Sequence, residues 1–219
     1  MADLKRGPLI NSPVVINMSL GGSSLDAMEQ AAIDYAVASG VIVVASAGNS
    51  GTAGMGYPGA YPPVISLAAS GWTGEWGPVS LGGSWWRSLD VAENGTTDAY
   101  ITSFSSRELS GQQLDVAAPG SWIVGPYQTN GQYSWYFLGG TSMASPHVAG
   151  LVALMMQINR LMSQATVESK LKSSATSFST STALIRSYTG GPLSSISWGS
   201  NATGSGMVNA VSALASVTG

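Results

Sequence analysis

The 219 residues contain no cysteine and a single histidine, His147. The first absence excludes disulfides and thiolate metal sites, and one histidine is too few for an ordinary zinc centre. Charge is also scarce: charged residues make up 9% of the chain, against about a quarter in ordinary globular proteins. With a net charge of −3 and a pI near 4.9, the basic footprint of a nucleic-acid binder is missing. No apolar run reaches the roughly 18 residues of a membrane span, and residues 1–11 are too polar for a signal peptide. What is present is apolar: 44% of the residues are hydrophobic, and a chain of this length buries a real core within one domain.

The pattern along the chain alternates strand and helix. Residues 14–18, 41–45 and 64–69 are short apolar runs suited to buried parallel strands. Between the first two, residues 24–39 read as a helix. Leu25, Met28, Ala32, Tyr35 and Ala36 recur at helical spacing, Ser23 or Ser24 caps its start, and Gly40 closes it. That spacing fits one right-handed crossover unit. Residues 114–117 and 122–124 suggest further short strands. Residues 142–161 form a long helix, apolar on nearly all faces and so expected at the centre of the domain. Residues 166–172 and 208–215 read as two later helices.

The most informative stretch is Gly140-Thr141-Ser142-Met143-Ala144-Ser145-Pro146-His147-Val148-Ala149-Gly150. It sets one nucleophile-capable hydroxyl, Ser142, between a glycine turn and an apolar helix. There the free N–H groups and the macrodipole favour a developing negative charge. This segment resembles the catalytic-serine signature of subtilisin-like (S8 family) serine endopeptidases. Eleven matched residues are far more specific than a bare G-x-S-x-G, which is broken here by Ala144.

Two more motifs carry the resemblance. Ala45-Ser46-Ala47-Gly48-Asn49-Ser50-Gly51 follows a buried strand, the place where open α/β sheets put their chemistry. By itself it reads as a turn; in the family the asparagine amide donates to the oxyanion, which implies that role for Asn49. Asn17-Met18-Ser19-Leu20-Gly21-Gly22 resembles the strand end that walls the specificity pocket and pairs with an extended substrate. The resemblance thus implies Ser142 and Asn49 as catalytic residues. It implies Ser19, Leu20, Gly21, Ser46, Ala47, Gly48, Gly56 and Thr141 as substrate-binding residues. Residues 57–62, 104–106, 114–120 and 204–210 extend the likeness over nearly the whole chain from about Pro13.

The family's other two catalytic segments, Asp-[Ser/Thr]-Gly and His-Gly-Thr, do not occur in this sequence. His147 lies five residues beyond Ser142 on the same helix, badly placed for a general base. The chain is therefore expected to be the C-terminal part of a subtilase catalytic domain, residues 1–219, with the base and its orienting acid before Met1. The implied fold is α/β, a three-layer subtilisin-like arrangement around a mostly parallel sheet with its N-terminal part missing. The family also implies peptide or protein substrates, no nucleic acid or membrane partner, a monomer when full length, and secretion. No cofactor or catalytic metal is expected. Some members hold a structural calcium on backbone oxygens, here near Gly59, Tyr61 and Val64.

Other features read as structural. Asp26 and Asp34 share one helix and are expected to be solvated. Asn94-Gly95-Thr96 and Asn201-Ala202-Thr203 match a glycosylation pattern that is common by chance. Residues 71–97 form one long irregular stretch whose Trp72, Trp76, Trp85 and Trp86 are expected to pack locally. Two functions from different classes stay open: a serine endopeptidase acting through Ser142, inactive as this fragment alone, and a non-catalytic truncated or peptide-binding polypeptide that keeps only pocket and groove.

Overall fold

The computed structural model describes residues 1–76, 98–188 and 190–218. The expectations for Trp85, Trp86 and Asn94-Gly95-Thr96 lie outside the described residues. Strands β1 (Val15–Met18), β2 (Ile42–Ser46) and β3 (Ile65–Trp72) run side by side and parallel. Strand β4 (Ala99–Ile101) pairs antiparallel with the end of β3, while β5 (Val116–Pro119) pairs parallel with it. Register sets Ile16 opposite Val43, Val44 opposite Ile65, and Leu67 opposite Val116.

The run of apolar residues at 41–45 is explained by layers on both faces of the sheet. Ile42 and Val44 point to one side, into a core shared with α3 (Thr141–Ile158), α4 (Gln164–Ser174) and α5 (Ala210–Thr218). Val41, Val43 and Ala45 point to the other, against Ile33 and Ala36 of α2 (Ala27–Ala38). A short first helix, α1 (Ala2–Arg6), joins this second core through Ala2. The fold is the expected three-layer α/β arrangement with a mostly parallel sheet.

Several local expectations are corrected. Asp26 caps α2, its Oδ1 accepting the Met28 and Glu29 N–H groups at 2.8 Å each, so neither Ser23 nor Ser24 is the cap and Asp26 is not merely solvated. Asp34 accepts the Tyr61 hydroxyl at 2.8 Å. The stripe through Met28 and Tyr35 faces outward; Met28 is 83% exposed. Of the expected stripe Ala36 does face the sheet, joined there by Ile33, while the Tyr35 ring and hydroxyl engage Arg6 and Asp3. Helix α3 is apolar all round, yet Leu154 and Ile158 lie in solvent while Val148, Val152, Met155 and Met156 are fully buried. Composition gives no phase to such a helix; only the sheet chooses its inner face.

Two antiparallel hairpins stand outside the main sheet: β6 (Ile123–Thr129) with β7 (Gln132–Leu138), and β8 (Thr182–Arg186) with β9 (Leu193–Ser197). The strand expected at 122–124 is the start of β6, whereas β7, β8 and β9 have no counterpart in the sequence reading. The turn of the first hairpin is Asn130-Gly131, with both residues at positive φ. At the foot of the first hairpin Trp76 packs edge-on against Trp122, with ring centroids 5.2 Å apart.

Polar side chains close gaps where the layers meet. Asp115, fully buried on entering β5, accepts Ser66 N–H at 2.8 Å and Lys172 Nζ at 3.0 Å. Gln164 of α4 acts as a missing strand: its amide exchanges hydrogen bonds with Val43 N–H and C=O at 2.9 and 2.8 Å. Glu75 is buried with no cation on it among the described residues, its carboxylate held by Trp72 N–H at 2.8 Å, Ser121 Oγ at 2.9 Å and Tyr100 Oη at 3.3 Å. Burial raises its pKa above the ordinary 4.5, although those three donors pull the other way.

Two outcomes follow for stability. Met155→Ala should cost about 2–5 kcal/mol in urea unfolding, whereas Leu154→Ala, one residue earlier and half exposed, should stay below about 1 kcal/mol. Equal costs would show that α3 is seated on a different face. For Glu75 the folded protein binds the proton more tightly than the unfolded chain, so stability declines as pH rises from below 4.5 through the raised value. Glu75→Gln should therefore match the parent at acid pH and exceed it at neutral pH. Unfolding curves at the two pH values check this, and a parent that gains on the variant as pH rises would contradict the assignment.

Candidate active site

The start of α3 is built from a defect in its own ladder. Pro146 has no N–H, so the Ser142 carbonyl four residues earlier loses its helical partner. The Ser19 hydroxyl supplies the missing donor, at 2.8 Å. Ser19 Oγ in turn receives Asn17 Nδ2 at 3.0 Å, and Asn17 Oδ1 accepts Ser145 Oγ at 2.6 Å. A closed set of side chains therefore runs from α3 to the end of β1 and back. It holds Ser142 beside Ser19, whose carbonyl accepts the Ser142 hydroxyl at 3.4 Å.

Asn49 stands on the loop after β2 and is fixed from the same helix start. Its Oδ1 accepts both donors of Thr141, the backbone N–H at 3.0 Å and Oγ1 at 2.9 Å. With the oxygen so occupied, the Nδ2 end is oriented by elimination, and it has no hydrogen-bond partner among the described residues. Ser142 N–H, one of the open donors of the first helical turn, is likewise unpaired among them. Both nitrogens lie near one point. A Cβ placed on Gly140 would lie 3.5 Å from Asn49 Nδ2, 3.6 Å from Ser142 N and 3.6 Å from Met143 Sδ. Two convergent N–H donors beside a hydroxyl are an arrangement that stabilises a developing oxyanion.

Beside this spot opens a cleft of about 490 Å³, walled by Leu20, Gly21, Ser46, Gly48, Gly56 and Thr141, with Asn49 and Ser142 at its rim. Six of the eight expected binding residues line it. Ser19 is instead tied to Ser142. Ala47 is fully buried and turned into the core under β5, and it reaches the cleft only through its carbonyl, which accepts Gly56 N–H at 2.9 Å. Strand alternation explains this, since Ser46 and Gly48 face the cleft and the residue between them must face away. Gly22 and Tyr57 exchange backbone hydrogen bonds of 2.8 and 2.9 Å, which ties the two long walls together.

Glycine is required at two places in these walls. Gly48 has φ +103°, and a Cβ there would lie 3.0 Å from Ser106 Oγ and 3.2 Å from Gly56 N. A Cβ on Gly59 would stand 2.2 Å from the Ser46 carbonyl. Sequence reasoning missed Ser23, Ser50, Ala53, Gly54 and Met55, which also line the cleft; the only signal was the glycine-rich run from Gly51 to Gly56. It also missed the Asn17–Ser145 pair, whose partners are far apart in the chain.

His147 does not approach the hydroxyl of Ser142. Its Nδ1 sits 2.8 Å from the Met143 carbonyl, and the side chain is exposed. Among the described residues no carboxylate bonds to Ser142 Oγ. At the position of the calcium expectation, the Tyr61 carbonyl accepts Val64 N–H at 2.8 Å, which leaves its second lone pair open.

The Asn49 clamp is testable by itself. Thr141→Val keeps the volume but removes the hydroxyl that Asn49 Oδ1 and Gly48 N–H share. It should cost about 1–3 kcal/mol and broaden the Asn49 side-chain amide resonances, while Thr141→Ser should restore both. An unchanged amide signal in the valine variant would show that Thr141 does not orient Asn49.

Comparison with known proteins agrees with this geometry. The sequence pattern of the subtilase (peptidase S8) family matches residues 9–199. The chain is 39% identical over 166 residues to subtilisin DY of Bacillus licheniformis, covering 74% of this chain and 49% of that protein. It is 37% identical over 172 residues to subtilisin J of Geobacillus stearothermophilus, covering 76% and 36%. Among solved structures, fervidolysin from Fervidobacterium pennivorans, described as a keratinolytic enzyme related to subtilisin, superposes with a TM-score of 0.66 and 27% identity. That match covers 98% of this chain and 28% of fervidolysin. The chain thus spans about half or less of the length of these relatives. With residues 9–199 matched, a range that includes the serine segment and the asparagine loop, the chain belongs to the subtilase family.

Proposed function

We propose that this chain carries the nucleophile, the oxyanion site and the main specificity cleft of a secreted serine endopeptidase. The observation that supports it best is the Asn49 clamp: Oδ1 bound to both Thr141 donors, with Nδ2 turned to the same spot as the Ser142 N–H. In this reading a substrate side chain enters the cleft between Leu20-Gly21 and Gly56. Its carbonyl oxygen then sits between Asn49 Nδ2 and Ser142 N. Ser142 Oγ attacks the carbonyl carbon and gives up its proton, and the tetrahedral oxyanion is held by the two N–H groups. The C–N bond breaks, the amine leaves protonated, and an ester on Ser142 remains. Water hydrolyses that ester and restores the hydroxyl.

The base that takes the Ser142 proton is not among the described residues, and His147, the sole histidine, is turned away. The reading therefore assigns the base and its orienting acid to polypeptide outside these 219 residues, and it expects the 219 residues alone to turn over slowly. Without the base, only oxyanion stabilisation and binding remain, a residual of about 10³–10⁴ over water in subtilisin itself. The same lack of a base beside Ser142 Oγ among the described residues supports the second reading, a peptide-binding polypeptide without catalysis.

A fluorophosphonate probe distinguishes the two. In the protein that contains this chain together with the base, Ser142 should be labelled and Ser142→Ala should abolish both labelling and peptide hydrolysis. Asn49→Leu should lower kcat by about 10²–10³ with little change in KM, a magnitude that comes from the subtilisin donor itself. Hydrolysis that persists in Ser142→Ala would remove the assignment, and peptide binding without labelling would favour the second reading.

A further inference from the structure

The serine segment has a hollow on each side. Opposite the first cleft lies a second of about 360 Å³, bounded by Thr102, Ser103, Phe104, Gly139 and the end of β8, Ile185 to Ser187. The two are neighbours. Gly51 N–H donates to the Phe104 carbonyl at 2.9 Å, which sets the wall of the second hollow directly behind Ser50 and the rim of the first. Gly139 borders the second hollow and precedes Ser142 by three residues. A Cβ there would lie 3.6 Å from the Phe104 ring. An extended peptide advances about 3.3 Å per residue. In the endopeptidase reading, a chain with one side chain in the first cleft and its carbonyl at Ser142 would carry the following residues past Gly139 toward the second.

Among the described residues that line this hollow, Arg186 is the charged one. Its Nη1 donates to the Gly191 carbonyl across the β8–β9 hairpin, which steadies the guanidinium with one of its five N–H groups. No described carboxylate forms an ion pair with it. Glu75 stands behind the opposite wall, where Tyr100 and Ser121 donate to its oxygens. Arg107 lies behind the Thr102–Phe104 wall and spends its Nη1 on the Thr102 and Ser105 carbonyls. Both of those charges are buried and engaged, whereas Arg186 is half-buried at the mouth.

We propose that Arg186 is a specificity-determining residue, selecting an aspartate or glutamate on the leaving-group side of the bond held at Ser142. The proposal rests on the endopeptidase reading for its direction along the peptide, but the recognition it describes is a matter of binding. An accessible guanidinium–carboxylate contact changes affinity by about fivefold, and a lysine in the same place adds repulsion. The total difference between acidic and basic peptides should be about tenfold, shrinking with added salt.

The test measures fluorescence anisotropy with labelled peptides on the Ser142→Ala protein, so that nothing is cleaved. Each peptide carries one phenylalanine anchor and a single Glu, Gln or Lys placed one, two or three residues toward its C-terminus. At one of the three positions Glu should bind about tenfold tighter than Lys, with Gln between. Arg186→Gln should level the series and Arg186→Glu should invert it, with circular dichroism unchanged in both. Equal binding of Glu and Lys peptides at all positions, or discrimination that survives Arg186→Glu, would overturn the proposal. Discrimination in a protein whose Ser142 resists fluorophosphonate would remove hydrolysis and leave the Arg186 assignment standing. Absence of binding by every peptide would remove both.

Discussion

Helix α3 is buried along one side on β1, β2, β3 and β5, and its first turn is missing a hydrogen-bond donor at Pro146. The position of nearly every group at the cleft follows from how that donor is replaced. Ser19 Oγ fills the gap on the Ser142 carbonyl, and Asn17 and Ser145 brace Ser19. The proline thus does more than interrupt a ladder. It creates an unsatisfied carbonyl at the residue whose hydroxyl matters, and the end of β1 must come close to satisfy it. Packing of Val148, Val152, Met155 and Met156 then prevents the helix from sliding away.

The same logic of enforced partners orients Asn49. An exposed asparagine on a loop ordinarily samples both amide orientations. Two donors from Thr141, itself fully buried, require an acceptor and so select the rotamer with Nδ2 outward. Orientation is achieved before any ligand arrives, which is how an oxyanion site avoids reorganisation cost during reaction. The supporting shell is equally polar where layers meet: Asp115 with Lys172, and Gln164 with Val43, join α4 to the sheet through hydrogen bonds that apolar packing alone would leave open.

Much of the fold was legible because the parallel strands are short and uniformly apolar, and because helical and strand periods differ. Residues 41–45 and 64–69 could only be buried on both faces, and the strands appear there. The candidate site was legible because its segments are local: Ser142 and Asn49 each lie in a continuous motif with glycines that the backbone needs. The less legible parts depend on long-range choice. Met28 and Tyr35 share a helical stripe with Ala36 as readily as Ile33 does, and the sheet decided that Ile33 and Ala36 are the buried pair. The hairpins β6–β7 and β8–β9 carry aromatic and hydroxyl residues without clean alternation, since neither face is fully covered.

By itself the sequence determined the family, the parallel three-layer class, the nucleophile candidate and the asparagine beside it. It did so because backbone conformation and the local order of small residues are properties of continuous segments. Only the tertiary structure decided that Ala47 faces the core while Ser46 and Gly48 face the cleft. It alone decided that Thr141 orients Asn49 across 92 positions of chain, and that Arg186, far from Ser142 in sequence, borders the hollow next to it. Those pairings carry no local signature. They exist because the sheet and α3, once packed, bring distant segments to one edge.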